Sequence, residues 1–136
     1  MKAYYKTSDG KVVGLEQKDV LYIWFEDIAE LVLPDNCKIV YCSYSQLKDL
    51  IISDGCKVVG CEYNQLKKII IPDGCEIVYC DNNQLTELTL PNYCEIVYCW
   101  NNQLKNLIVP DGCKSVMADM KSVTMLNKVD WLNLYI

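Results

Sequence analysis

Two residue types are missing from this chain: histidine and arginine. Without histidine, the commonest general base and the commonest metal ligand are gone. Without arginine there is no bidentate fork for phosphate or guanine. Every cation is a lysine, and the formal net charge is -5, which argues against a general binder of phosphate backbones. Long apolar runs are missing too. None approaches the length of a membrane span, and the opening "MKAYYKTSDGK" lacks the apolar segment of a secretory leader. The expectation is a soluble, cytoplasmic protein of one domain, since 136 residues suffice to bury a core. In that compartment its nine cysteines stay reduced.

What is present is a repeat. Cys37, Cys56, Cys75, Cys94 and Cys113 are each nineteen residues apart, and so are Cys42, Cys61, Cys80 and Cys99. Ala118, also small and apolar, continues the second column. The unit is clearest in "CEIVYCDNNQLTELTLPNY", residues 75 to 93, with its first residue as position 1. Apolar residues fall at positions 1, 4, 6, 11, 14 and 16, here Cys75, Val78, Cys80, Leu85, Leu88 and Leu90. Positions 3 to 6 alternate, so Val78 and Cys80 point to one side of a strand and Ile77 and Tyr79 to the other. Stacked copies make a parallel sheet, and each nineteen-residue coil supplies the crossover it requires. Asn83, at position 9, can satisfy loop backbone groups, giving a ladder with Asn64 and Asn102. "PDG" and "PNY" mark the corner before the next strand.

The columns and the "NQL" element (Asn64-Gln65-Leu66, Asn83-Gln84-Leu85, Asn102-Gln103-Leu104) resemble the leucine-rich repeat pattern L-x-x-L-x-L-x-x-N-x-L over roughly residues 18 to 126. Cysteine stands at the first and third leucine sites and valine at the second. Ser45, Glu26 and Lys121 depart from the asparagine. The resemblance implies a mainly β repeat solenoid: a short arc with one parallel sheet on its concave face. A nineteen-residue coil has no room for a helix, so the convex returns are expected to be extended or turn-like. The expected organisation is an N-terminal capping hairpin around Asp9-Gly10 (residues 1–17), about six coils over 18–129 starting at 18, 37, 56, 75, 94 and 113, and a C-terminal cap at 130–136.

The cysteines invite a metal or redox reading, but core packing outweighs it. Their spacing is the repeat's own, and C-x4-C followed by thirteen residues matches neither zinc nor ferredoxin patterns. Stacked identical residues have parallel Cβ directions, wrong for a disulfide. No cofactor and no metal is expected.

Function then falls to the outward positions of the sheet. Positions 3, 5, 7 and 8 gather Tyr22, Trp24, Ile39, Tyr41, Tyr44, Tyr63, Ile77, Tyr79, Ile96, Tyr98 and Trp100, alongside Phe25. A large apolar patch rich in tyrosine and tryptophan marks an interface. The competing reading is a ladder of good strand formers that only stabilises the sheet. A second outward column, position 15, holds Val32, Ile51, Ile70, Thr89 and Ile108, for which packing on the convex side is the plainer reading. The lysines are interleaved with acids and read as a solvated face.

The resemblance implies a non-enzymatic protein-binding module, an inhibitor or docking protein for a partner of unknown identity. By analogy it suggests the small binders that phages, viruses and intracellular bacteria aim at host or defence machinery. The alternatives are a self-assembling or homodimeric repeat protein, an enzyme, and an acidic nucleic-acid mimic. The enzyme reading lacks any nucleophile–base pair, with Glu62, Asp81 and Asp119 offering at most a weak cation site. The acids form no continuous run, which disfavours the mimic, and neither membrane nor nucleic acid is an expected partner.

Overall fold

The computed structural model describes residues 3–24, 27–119, 124–125 and 134–135. Phe25, Glu26, Met120, Lys121 and most of the expected C-terminal cap lie outside them. Among the described residues there is no helix. The chain is a β-solenoid of about five turns with nineteen-residue spacing.

Each regular coil contributes one three-residue strand, drawn from the β-branched and aromatic residues at positions 3 to 5. These are β3 (Val20–Tyr22), β5 (Ile39–Tyr41), β7 (Val58–Gly60), β8 (Ile77–Tyr79), β9 (Ile96–Tyr98) and β11 (Ser115–Met117). They pair in parallel with no register shift, so Val40, Val59, Val78, Val97 and Val116 stack in one column. All five are fully buried. β13 (Leu134–Tyr135) adds to β11, completing a seven-stranded sheet.

The return segments carry shorter and less regular pairing. β4 (Ile28–Val32) and β6 (Asp49–Ile51) pair in parallel, as do β10 (Asn106–Leu107) and β12 (Thr124–Met125). Residues 68–70 and 87–89 hold the same frame without forming strands. The N-terminal hairpin is β1 (Tyr4–Thr7) with β2 (Val12–Gly14), turning at Asp9-Gly10, where Gly10 takes φ 94°. It joins the return side, with β1 antiparallel to β4, and does not cover the outer edge of β3. The Tyr4 hydroxyl donates to Glu30 Oε1 at 2.6 Å across this pairing. Val32, opposite Tyr4, is buried, while Ile51, Ile70 and Ile108 of its column are exposed.

Two devices lock one coil to the next. Asn83 Nδ2 donates to Cys61 O at 3.0 Å in the preceding coil and to Cys80 O at 3.1 Å in its own, and its Oδ1 accepts from Leu66 N at 3.0 Å. Asn64 and Asn102 repeat the pattern. Where Ser45 replaces asparagine, its hydroxyl still reaches back to Ile23 O at 3.4 Å. The corners close by backbone bonds from Cys75 N to Pro72 O and from Cys113 N to Pro110 O, both at 3.0 Å. Gly55 (φ 87°) and Asn36 (φ 61°) take the left-handed conformation at two of the corners.

Candidate functional site

None of the eleven outward residues belongs to the core. Tyr22 (58%), Trp24 (51%), Tyr44 (46%) and Tyr63 (47%) are exposed. Ile39, Tyr41, Ile77, Tyr79, Ile96, Tyr98 and Trp100 are half-buried. The parallel register sets Ile39, Val58, Ile77 and Ile96 in one apolar row. Beside it the aromatic row is not continuous. Gly60 occupies the tyrosine position of its coil and splits the row in two. On one side Tyr22 stacks on Tyr41 (5.4 Å, 14°) and meets Trp24 edge-on. On the other, Tyr79 and Tyr98 lie 4.9 Å apart, with Trp100 beyond at 5.9 Å.

The gap at Gly60 is not empty. A Cβ there would meet Tyr41 Cδ1 at 2.6 Å and Glu62 Oε1 at 3.1 Å. The Tyr41 ring and the Glu62 carboxylate therefore share the space that the absent side chain leaves.

Position 7 corrects the sequence reading. Periodicity alone puts Ser43 and Asp81 outward, yet both are buried. The strand ends at position 5, and the chain then bends through a left-handed residue at position 8; there the short side chains of Ser43 and Asp81 are buried, while the longer Glu62 and Trp100 stay half-exposed. The left-handed residue is Tyr44 (φ 56°), Tyr63 (φ 55°), Asn82 (φ 56°) and Asn101 (φ 53°) in successive coils. Asparagine tolerates this backbone, but tyrosine is strained in it. The two tyrosines nonetheless stand there with their rings stacked at 4.4 Å and 9°. Alternation gave no sign of this conformation; only the asparagines at the same position hint at it.

The row carries three acids. Asp119 Oδ2 accepts from Asn101 N at 2.7 Å, and Asp81 Oδ2 from Asn82 Nδ2 at 2.8 Å. Glu62 Oε1 is buried with no hydrogen-bond partner. Burial raises the Glu62 pKa, and the Asp81 charge adds to the rise. Burial raises Asp81 as well. Tyr79 is raised by burial, then by Tyr98, Tyr41 and Glu62. Among the described residues no group of three or more histidine, cysteine, aspartate or glutamate side chains could hold a metal ion.

The sign of the Glu62 shift gives a prediction. A carboxyl with a raised native pKa binds its proton more tightly folded than unfolded. Its stability contribution therefore falls as pH climbs from the ordinary carboxylate value through the raised one, and stays low above it. Glu62→Gln is isosteric and removes that penalty. The melting temperature at about pH 7 should rise, by less than about 4 °C. The parent should also gain more than the variant on acidification to about pH 5. Thermal melts at the two pH values check both statements.

All nine cysteines are free and buried. They fall into two kinds. The position 1 thiols bond to backbone: Cys75 Sγ donates to Lys57 O and Ile77 O, both at 3.5 Å, and Cys56 and Cys113 do likewise in their coils. Leucine could not do this, and spacing alone did not reveal it. The position 6 thiols of Cys42, Cys61, Cys80 and Cys99 sit in the apolar core. Burial pushes Cys56, Cys94 and Cys99 up to about 12 and Cys75 up to about 11. A thiol held neutral and inaccessible is a poor nucleophile. The native protein should react with an aromatic disulfide reagent at least about a hundredfold more slowly than the urea-unfolded chain, as timed by absorbance.

Crevices also open between the returns. One, of about 430 Å³, lies between β6 and residues 68–70, lined by Glu30, Asp49, Ile51, Lys68 and Ile70. Its walls mix both charges with aliphatic side chains and hold no aromatic ring. Comparison with family models, with curated proteins and with solved structures gives no match to this chain.

Proposed function

We propose that this protein is a non-enzymatic binding module of leucine-rich repeat type. It engages a protein partner through the seven-stranded sheet face, as an inhibitor or docking protein. One observation carries the reading. Eleven tyrosine, tryptophan and isoleucine residues line one face of a rigid ladder without entering the core. Rigid aromatic anchors on a strand scaffold offer contact area at little entropic cost, and residues of these types dominate binding hot spots. Against catalysis stand the lack of histidine and the buried, neutral thiols.

The test is an affinity capture from lysate with the parent and with Tyr41→Ser/Tyr79→Ser/Tyr98→Ser, after confirming that the variant unfolds cooperatively. The reading expects a protein retained by the parent at stoichiometric yield and depleted at least about tenfold by the variant. Equal capture by both would move the site off this face. A parent dimer that the variant dissolves, with nothing captured, would turn the face into the protein's own interface.

A further inference from the structure

The acids beside the aromatic rows have no lysine among them. They are Glu62 and Asp119, both half-buried, with Asp81 buried between them, while the strand entrances alternate lysines (Lys38, Lys57, Lys114) with acids (Asp19, Glu76, Glu95). Among the three acids only Glu62 keeps a buried oxygen with no donor. Ser43 and the Glu62 backbone hydrogen-bond the carboxylate but leave Oε1 without a partner, and a buried acceptor left unsatisfied costs stability. Around it stand aromatic rings: Tyr41 against Gly60, Tyr79 in the next strand, and the exposed Tyr44–Tyr63 pair. The Tyr44 phenol is raised first by desolvation and then by Tyr63, with smaller contributions from Asp81 and Glu62. Both tyrosines also hold a backbone conformation that asparagine would fill more cheaply, so their rings are kept at a cost to the fold.

We propose that the sheet face takes an extended basic segment of a partner, with one arginine or lysine side chain seated at Gly60 against Glu62. This rests on the reading of the face as a partner site. The Tyr41 ring lies over Gly60 beside Glu62 Oε1, so the cation reaches the carboxylate by displacing that ring. Tyr41 and Tyr79 then present their π faces to it, a contact that strengthens as water leaves. The charge-assisted bond supplies the donor that Glu62 Oε1 lacks. The rest of the segment lies along the isoleucine row. The overall charge of -5 favours the same partner at long range.

The test uses labelled extended peptides, randomised over uncharged residues, with the central residue fixed as arginine, lysine, glutamine or glutamate. Binding is read by fluorescence anisotropy at low and high salt. The arginine or lysine pool should bind most tightly, weaken with salt, and lose about tenfold in affinity on Glu62→Gln. The Tyr41→Ser/Tyr79→Ser/Tyr98→Ser variant should bind no pool. A glutamine pool as tight as the cationic ones, or cationic binding indifferent to Glu62→Gln, would overturn the basic-side-chain proposal and leave the face reading intact. Failure of every pool to bind the parent would overturn the proposal too. Cationic pools bound equally by the tyrosine variant would overturn it together with the reading of the face.

Discussion

Replacing Asn83 by alanine is expected to cost the fold about 3–4 kcal/mol, among the largest single effects available in this chain. The side chain is buried and makes four hydrogen bonds: from Nδ2 to Cys61 O, Cys80 O and Asp81 O, and from Leu66 N to Oδ1. Alanine removes every partner and leaves those backbone groups without water to replace them. The penalty is desolvation of unpaired groups, about 1–3 kcal/mol each where nothing relaxes, offset because each carbonyl retains a second acceptor site. Urea titration with an unchanged slope would report it as a lower midpoint. The ladder also sets an order. Asn64 is buried and bonded in the same way, so Asn64→Ala should cost about as much as Asn83→Ala, whereas half-buried Asn102 can borrow water and should cost less. If Asn83→Ala were as mild as the exposed Thr89→Ala, the ladder would not be what couples the coils.

That ladder was legible before any coordinates, because the asparagine recurs in register with the leucine after it and no surface role explains such regularity. The same holds for the parallel sheet. A nineteen-residue period with alternation at positions 3 to 6 leaves little else that buries Val78, Cys80 and their equivalents together. What the residues could not disclose lies in the next few ångströms. Gly60 is visible as a gap in the tyrosine column, but the placing of the Tyr41 ring and Glu62 in that gap depends on side-chain directions in two adjacent coils. Ser43 and Asp81 read as outward because alternation holds only to position 5, where the strand ends before the left-handed residue at position 8. The hairpin at Asp9-Gly10 was legible from its turn, but its pairing with β4 instead of the edge of β3 was not. Local sequence specifies a hairpin, while long-range packing selects its neighbour.

Exchanging Cys80 for leucine should destabilise the protein by about 2–3 kcal/mol, because leucine is larger than the cysteine that this buried site holds. Cys80 is fully buried between Cys61 and Cys99 of the adjoining coils. Strands in this sheet repeat at about 4.8 Å, so neither neighbour can retreat along the stack without breaking the ladder. Val78, Leu85 and Leu66, all fully buried, belong to the same core. Extra methyl groups then force strained rotamers or a spread between coils, and a close-packed interior resists both. Cys80→Ala leaves a small void, and Cys80→Val adds little volume, so each should cost less than leucine, about 1 kcal/mol. The three melting curves together separate two accounts of the cysteine columns. A leucine variant as stable as the parent would mean that the interior is roomy and that position 6 thiols are retained for chemistry. The predicted order, leucine worst, ties them to the thinness of a nineteen-residue coil.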